Sequence, residues 1–211
     1  MITMTQDAPF WDQVAPKYAK RPVPNAAAYE ATLRHTRSYL TAEDRVLELG
    51  AGTGSTALRL APAVAEYHAT DISSGMIAIA REKPRPAETE RLAFAVAGIA
   101  AQDQTARAYD TVLAFNLLHL VPDLSADLAN IRARLRPGGL FVSKTPCLGR
   151  HAWHIQAMIW AMRLIGKAPA HVGLFDTEDL DAQIRTAGFE IVETTAYPKA
   201  SRSHFVVARA V

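Results

Sequence analysis

In the stretch VLELGAGTGS, residues 46–55, glycine occupies positions 50, 52 and 54 directly behind a run of apolar residues. Small residues there let backbone approach a ligand closely, and the N-terminal amides of a following helix point at the ligand's polar end. The spacing argues against a dinucleotide. A G-x-G-x-x-G fingerprint begun at Gly50 requires glycine at position 55, where the chain has Ser55, and the third glycine falls at Gly54 instead. Glu48, two residues ahead of Gly50, places a negative charge near the loop and favours a ligand with a cationic group over one rich in phosphates. Asp71 closes the next strand-like run, where a carboxylate can accept hydrogen bonds from both hydroxyls of an unphosphorylated ribose.

These residues need a sheet to carry them. Apolar clusters alternate with helical patterns from about residue 45 onward, the signature of strand and helix units on a mostly parallel sheet. Strands are expected at RVLELG, EYHATD, LAFAVA, YDTVLAF and GLFVSKT, and helices at STALRLA, SSGMIAIAREK and DLSADLANIRARL, the last two opening on Ser or Asp caps. Pro62 is expected to end the first of these helices. The closing stretch EIVETTAYPKASRSHFVVARAV predicts an antiparallel hairpin at the sheet edge, turning around Pro198. The expectation is one α/β domain over residues 1–211: a Rossmann-like, doubly wound, mostly parallel seven-stranded sheet in a three-layer α/β/α arrangement. Residues 1–40 form an N-terminal helical cap, with a helix from about Asn25 to Leu40. Residues 41–145 form the cofactor-binding core, 146–175 a helical lid, and 176–211 the C-terminal helix and hairpin.

Composition narrows the partners. The chain has 211 residues, 49% of them hydrophobic, with 23 Lys and Arg against 21 Asp and Glu. That near balance, without a basic block, argues against nucleic acid. The single cysteine, Cys147, allows no intrachain disulfide, supplies too few ligands for a cysteine metal site and suits a reducing cytoplasm. No metal is expected. The segment AWHIQAMIWAMRLIG is interrupted by His154, Gln156 and Arg163 and is shorter than the roughly 20 residues that span a bilayer, so stable membrane insertion is not expected. The opening residues lack the pattern of a secretory signal.

The glycine loop, Asp71, YDTVLAFNLLHLVPD, IRARLRPGG and TEDLDAQIRTAGFEIVE, in that order, resemble the class I S-adenosylmethionine-dependent methyltransferases, in the small-molecule branch. The resemblance runs from about Phe10 to the C-terminus and is strongest over residues 45–145. It implies S-adenosyl-L-methionine as cofactor, S-adenosyl-L-homocysteine as product, and a monomer or homodimer acting on a small molecule. By position it implies that Glu48, Gly50, Ala51, Gly52 and Gly54 surround the methionine part, that Asp71 holds the ribose, and that Ile72 and Met76 flank the adenine. Tyr18, in FWDQVAPKYAK, matches an aromatic that reaches the cofactor's carboxylate, and Asn116 lines the methyl-donor end. The chain departs from the pattern at Gly98, where the family usually has an acidic residue for the adenine amino group. Adenine recognition then falls to backbone, to Ile99 or to Gln102.

A sulfonium already makes its methyl group electrophilic, so the protein's task is alignment and exclusion of water. An acidic acceptor would gain from a base, and His119 is the first candidate, His154 the second. An ordinary packing role is the alternative for either, as for His151 and His171. The stripe Trp153, Met158, Trp160 and Met162 has three readings: core, pocket wall or membrane-facing surface. The acceptor is expected to be small and partly apolar, with O-, N-, S- and C-methylation all open. Two rival functions fit some of the same residues. A nicotinamide-dependent oxidoreductase accounts for the loop and Asp71 but not for the later motifs, and a non-catalytic S-adenosylmethionine-binding protein is compatible with Gly98.

Overall fold

The computed structural model describes residues 7–85, 89–100, 109–149, 152–197 and 202–211. Seven strands form one sheet: β1 Arg45–Leu49, β2 Glu66–Asp71, β3 Leu92–Val96, β4 Tyr109–Phe115, β5 Leu135–Pro146, β6 Phe189–Ala196 and β7 Ser203–Ala210. Their order is β3-β2-β1-β4-β5-β7-β6. All neighbouring pairs from β3 to β5 are parallel, and β7 runs antiparallel to both β5 and β6. The strand order reverses between β1 and β4, which opens a crevice at their C-terminal ends.

Alternation along the strands divides the core in two. Leu47, Leu49, Val112, Ala114 and Phe141 pack against α5 (Leu124–Arg134) and α7 (Thr177–Thr186). Val46, Leu113, Val142 and Phe205 pack on the other face against α2 (Ala26–Arg37), α3 (Ser55–Leu60) and α4 (Ser74–Glu82). Both faces are covered, giving the expected three layers. Asn25 caps α2 by accepting from the Ala28 amide, Ser73 caps α4, and Asp123 caps α5. Helix α3 ends at Leu60, where the chain passes into a 3-10 turn, Ala61–Ala63, built on Pro62.

Two features differ from the sequence expectation. A helix α1, Ala8–Ala19, precedes α2 and contains Pro16, a residue that removes an interior helix hydrogen bond and so hides a helix from a sequence reading. Strand β5 begins four residues before Gly139: Tyr109 pairs with Leu135 and Thr111 with Leu140, so Arg136 to Gly139 form a bulge. The antiparallel hairpin stands at the sheet edge as expected, β7 pairing with β5 and β6 lying outermost on that side; the turn around Pro198 lies outside the described residues. The segment expected as a lid contributes α6, Trp153–Leu164. Among the described residues, no helix is long and apolar enough to cross a membrane.

Candidate active site

A cavity of about 570 Å³ opens at the C-terminal ends of β1, β2 and β4. One end is bounded by Gly50, Gly52, Asp71, Ile72, Met76, Gly98 and Ile99, with Trp11 and Tyr18 of α1 above them. Asn116, Leu117 and His119 lie on the segment after β4, and Ile155, Met158, Ile159 and Met162 of α6 wall the far end. The volume falls in the range of small-ligand and cofactor sites.

The three loop glycines all have left-handed backbone: φ is +66° at Gly50, +53° at Gly52 and +73° at Gly54. Their neighbours differ. A Cβ on Gly50 would lie 2.9 Å from the Leu117 side chain, and one on Gly54 would lie 2.7 Å from Phe94 and 2.9 Å from Ala80. Those two positions are closed by packing. A Cβ on Gly52 would meet nothing nearer than Tyr18 at 4.0 Å, so this glycine leaves a cradle open toward the cavity.

Asp71 faces that cradle. Its Oδ2 accepts from the Gly52 amide at 2.8 Å and its Oδ1 from the Ser73 amide at 2.9 Å, which fixes the carboxylate while leaving further lone pairs for a ligand. Burial raises its pKa, and the two amides oppose the rise. Ser73 in turn donates from Oγ to Asp12 of α1 at 2.6 Å and accepts from the Met76 amide at 3.0 Å. Asp12 also accepts from the Gly75 amide at 2.8 Å, and these bonds, led by Ser73, hold its pKa below the ordinary carboxylate value. Helix α1 is thereby fastened across the cavity to the first turn of α4, where the helix dipole favours a carboxylate. Asp7 ties the other end of α1 to the lid by accepting from the Ala170 amide at 2.8 Å.

The segment after β4 is held just as firmly. Asn116 has φ +54°, a conformation asparagine tolerates, and its amide donates to the Lys144 carbonyl at 2.7 Å. The His119 carbonyl accepts from the Gly173 amide at 2.6 Å, joining this segment to the lid. Its imidazole Nδ1 is buried without a hydrogen-bond partner. Burial, and after it the charge of His171, pushes the His119 pKa down to about 4, so the ring is neutral at pH 7.

A family model described as a methyltransferase domain matches residues 16–194. The chain belongs to that family. That is the family the sequence resembles, not that of the nicotinamide oxidoreductase weighed beside it. The methyltransferase is 35% identical over 125 residues to the reducing polyketide synthase Preu2 of Preussia isomera, an alignment covering 54% of this chain and 5% of the synthase. The chain therefore spans about 5% of the length of that relative. Among solved structures, the [4+2]-cyclase SpnF superposes with a TM-score of 0.76 at 19% identity, covering 99% of this chain and 97% of that one. The CurJ carbon methyltransferase superposes with a TM-score of 0.69 at 24% identity, covering 100% of this chain and 61% of that one. At these identities the likeness is one of fold.

Of the residues expected at the methyltransferase's site, Tyr18, Gly50, Gly52, Asp71, Ile72, Met76, Gly98, Ile99, Asn116 and His119 line the cavity. Four do not. Glu48 falls by strand alternation on the α2–α3 face, where it is buried and accepts from the Tyr67 hydroxyl at 2.8 Å. Burial raises its pKa to about 8, so it does not supply the negative charge expected of it near neutral pH. Ala51 turns into the core of that face, and Gly54 packs on Phe94. His154 is exposed on α6, edge-on to Trp153 and outside the cavity lining. Gln102 and His151 lie outside the described residues. Sequence reasoning missed Trp11, Asp7 and Asp12, all on or next to the unforeseen α1; the Ser-rich cap of α4 carried no signal for its partner. Cys147 is buried and its thiol is pushed up to about 11, chiefly by burial, which makes it a packing residue.

Proposed function

We propose that this methyltransferase alkylates an acidic carbon of a small, partly apolar acceptor, with His119 taking the proton. The observation that carries the reading is the neutral imidazole of His119, a residue that lines the cavity beside its apolar wall. Thiolates and neutral amines need little help to attack a methyl group, whereas a carbon acid must first lose its proton. The name of CurJ as a carbon methyltransferase and the match to a polyketide synthase point the same way.

When bound, S-adenosylmethionine supplies an electrophilic methyl on a sulfonium centre. Asp71 would accept hydrogen bonds from the ribose hydroxyls, and Gly52 would give the ligand room beside the loop. Ile72, Met76 and Ile99 flank the adenine, with backbone at Gly98 in place of a side-chain acceptor. Tyr18 and Asn116 border the methionine end. The acceptor lies against Leu120, Ile155, Met158 and Met162, an apolar wall that excludes water and aligns the carbon with the methyl group. The His119 imidazole would take the acceptor's C–H proton, leaving the electron pair on carbon for the methyl group, which the sulfonium would supply with its own sulfur as leaving group.

The test is deuterium exchange. A panel of carbon acids, phenols, thiols and amines is first screened for transfer of labelled methyl. With S-adenosylhomocysteine bound, the wild type should then wash deuterium from solvent into the acidic carbon of the accepted substrate, and His119→Ala should lose that exchange while binding the nucleoside normally. Transfer confined to phenols, thiols or amines, or exchange undiminished in His119→Ala, would contradict the reading.

A further inference from the structure

Helix α6 has no buried residue although it is apolar nearly all round. At 3.6 residues per turn its apolar side chains form two opposed stripes. Ile155, Met158, Ile159 and Met162 face the cavity. Trp153, Ala157, Trp160 and Leu164 recur at intervals of four, three and four on the opposite side. Trp153 is 75% exposed, Trp160 62% and Leu164 67%, and Ile165 just beyond is 63% exposed. The polar residues His154, Gln156 and Arg163 occupy the seams between the two stripes. A helix apolar on both sides is expected to be covered on both, and an exposed apolar patch of this kind marks an interaction surface.

Charge identifies what covers the outer stripe. No Asp or Glu occurs between Asp127 and Asp176, in a chain that has 21 acidic residues. Arg163, in the seam and donating from Nε to the Pro169 carbonyl at 3.0 Å, and Lys167, just past the helix at the cavity's rim, are both exposed and lie at the C-terminal end of α6. Two tryptophans and a leucine with cations at one end, in a stretch of sequence without carboxylates, is the composition of a helix lying in a lipid headgroup layer. A protein partner would take the apolar area equally well, but the inner stripe tips the choice. The helix that would rest in lipid is also the wall of the cavity's apolar end, so lipophilic molecules held in a bilayer would collect at the lid. We propose that the outer face of α6 docks on the surface of an anionic lipid bilayer, lying in the interface and not crossing it. This does not depend on which acceptor atom is methylated.

The experiment is sedimentation of the full chain with vesicles of phosphatidylcholine alone and of phosphatidylcholine mixed with phosphatidylglycerol. The protein should pellet with the mixed vesicles, less with the neutral ones, and progressively less as salt is raised. Its tryptophan emission should shift to the blue on binding. The triple variant Trp153→Ala, Trp160→Glu, Leu164→Glu should stay in the supernatant while titrating with S-adenosylhomocysteine as the wild type does. Should that variant fail to fold, brominated acyl chains should quench the wild-type emission, and quench it less in Trp160→Phe. A wild type that remains in the supernatant with both vesicles would overturn the proposal. So would a folded triple variant that pellets normally, or a wild-type dimer that ignores vesicles and is split by Leu164→Glu.

Discussion

Glu48 shows how much one position in a strand decides. Two residues from the glycine loop in sequence, it is turned by the two-residue period of β1 into the core beneath α2 and α3, where the Tyr67 hydroxyl donates to its carboxyl. Its pKa of about 8 means that the folded chain holds a proton which the unfolded chain releases near the ordinary value of 4.5. Between those values the native state binds more protons, so stability falls as pH rises from about 4.5 to about 8 and levels off beyond. The slope is at most about 1.4 kcal/mol per pH unit. Denaturant unfolding at a series of pH values should show this decline in the wild type and a flatter profile in Glu48→Gln, which keeps an acceptor for Tyr67 without a titrating proton. Profiles of equal slope would contradict the burial of an ionisable carboxyl here.

At the scale of elements, α1 is the piece whose placement matters most and whose existence was least visible. It brings Trp11 and Tyr18 over the cavity, and Asp12 secures it to Ser73 and Gly75 at the start of α4. Since Ser73 also donates its amide to Asp71, the same few atoms fix both the cover and the carboxylate beneath it. Replacing Asp12 by alanine should weaken S-adenosylhomocysteine binding roughly fivefold to tenfold, about 1 kcal/mol, the typical net worth of a hydrogen bond. The KM for cofactor should rise with kcat little changed, and Asp12→Asn, which can still accept from Ser73 and Gly75, should recover much of the loss. A fall in kcat with an unchanged KM would place Asp12 in some other role.

The five parallel strands were legible because each is a short apolar run bounded by turn residues, and α2, α4 and α5 because a capping side chain announces each start. Pro16 concealed α1, and the Arg136–Gly139 bulge concealed the true start of β5. In the site, Asp71 and Gly52 were legible from type and spacing alone. The separate duties of Gly50 and Gly54 were not, because they depend on Leu117 and Phe94, residues distant in sequence that only the fold brings near.

For the whole molecule, the sheet's reversal between β1 and β4 sets one crevice, and everything that covers it comes from outside the sheet: α1 from the N-terminal side, α6 and the lid loop after β5. The two covers meet where Asp7 accepts from Ala170. The end proposed for the cofactor carries Asp71 on fixed backbone, while the end proposed for the acceptor is apolar and built on a helix with one side in solvent. On the proposed division, cofactor affinity rests on Asp71 and its supporting amides. The most direct measurement is calorimetric titration of S-adenosylhomocysteine into the wild type and Asp71→Ala, with unfolding followed in parallel. The account predicts binding by the wild type and a loss of roughly 1.5 to 3 kcal/mol in the variant, about tenfold to a hundredfold in Kd, with folding largely retained. Equal affinity in the two proteins would contradict it.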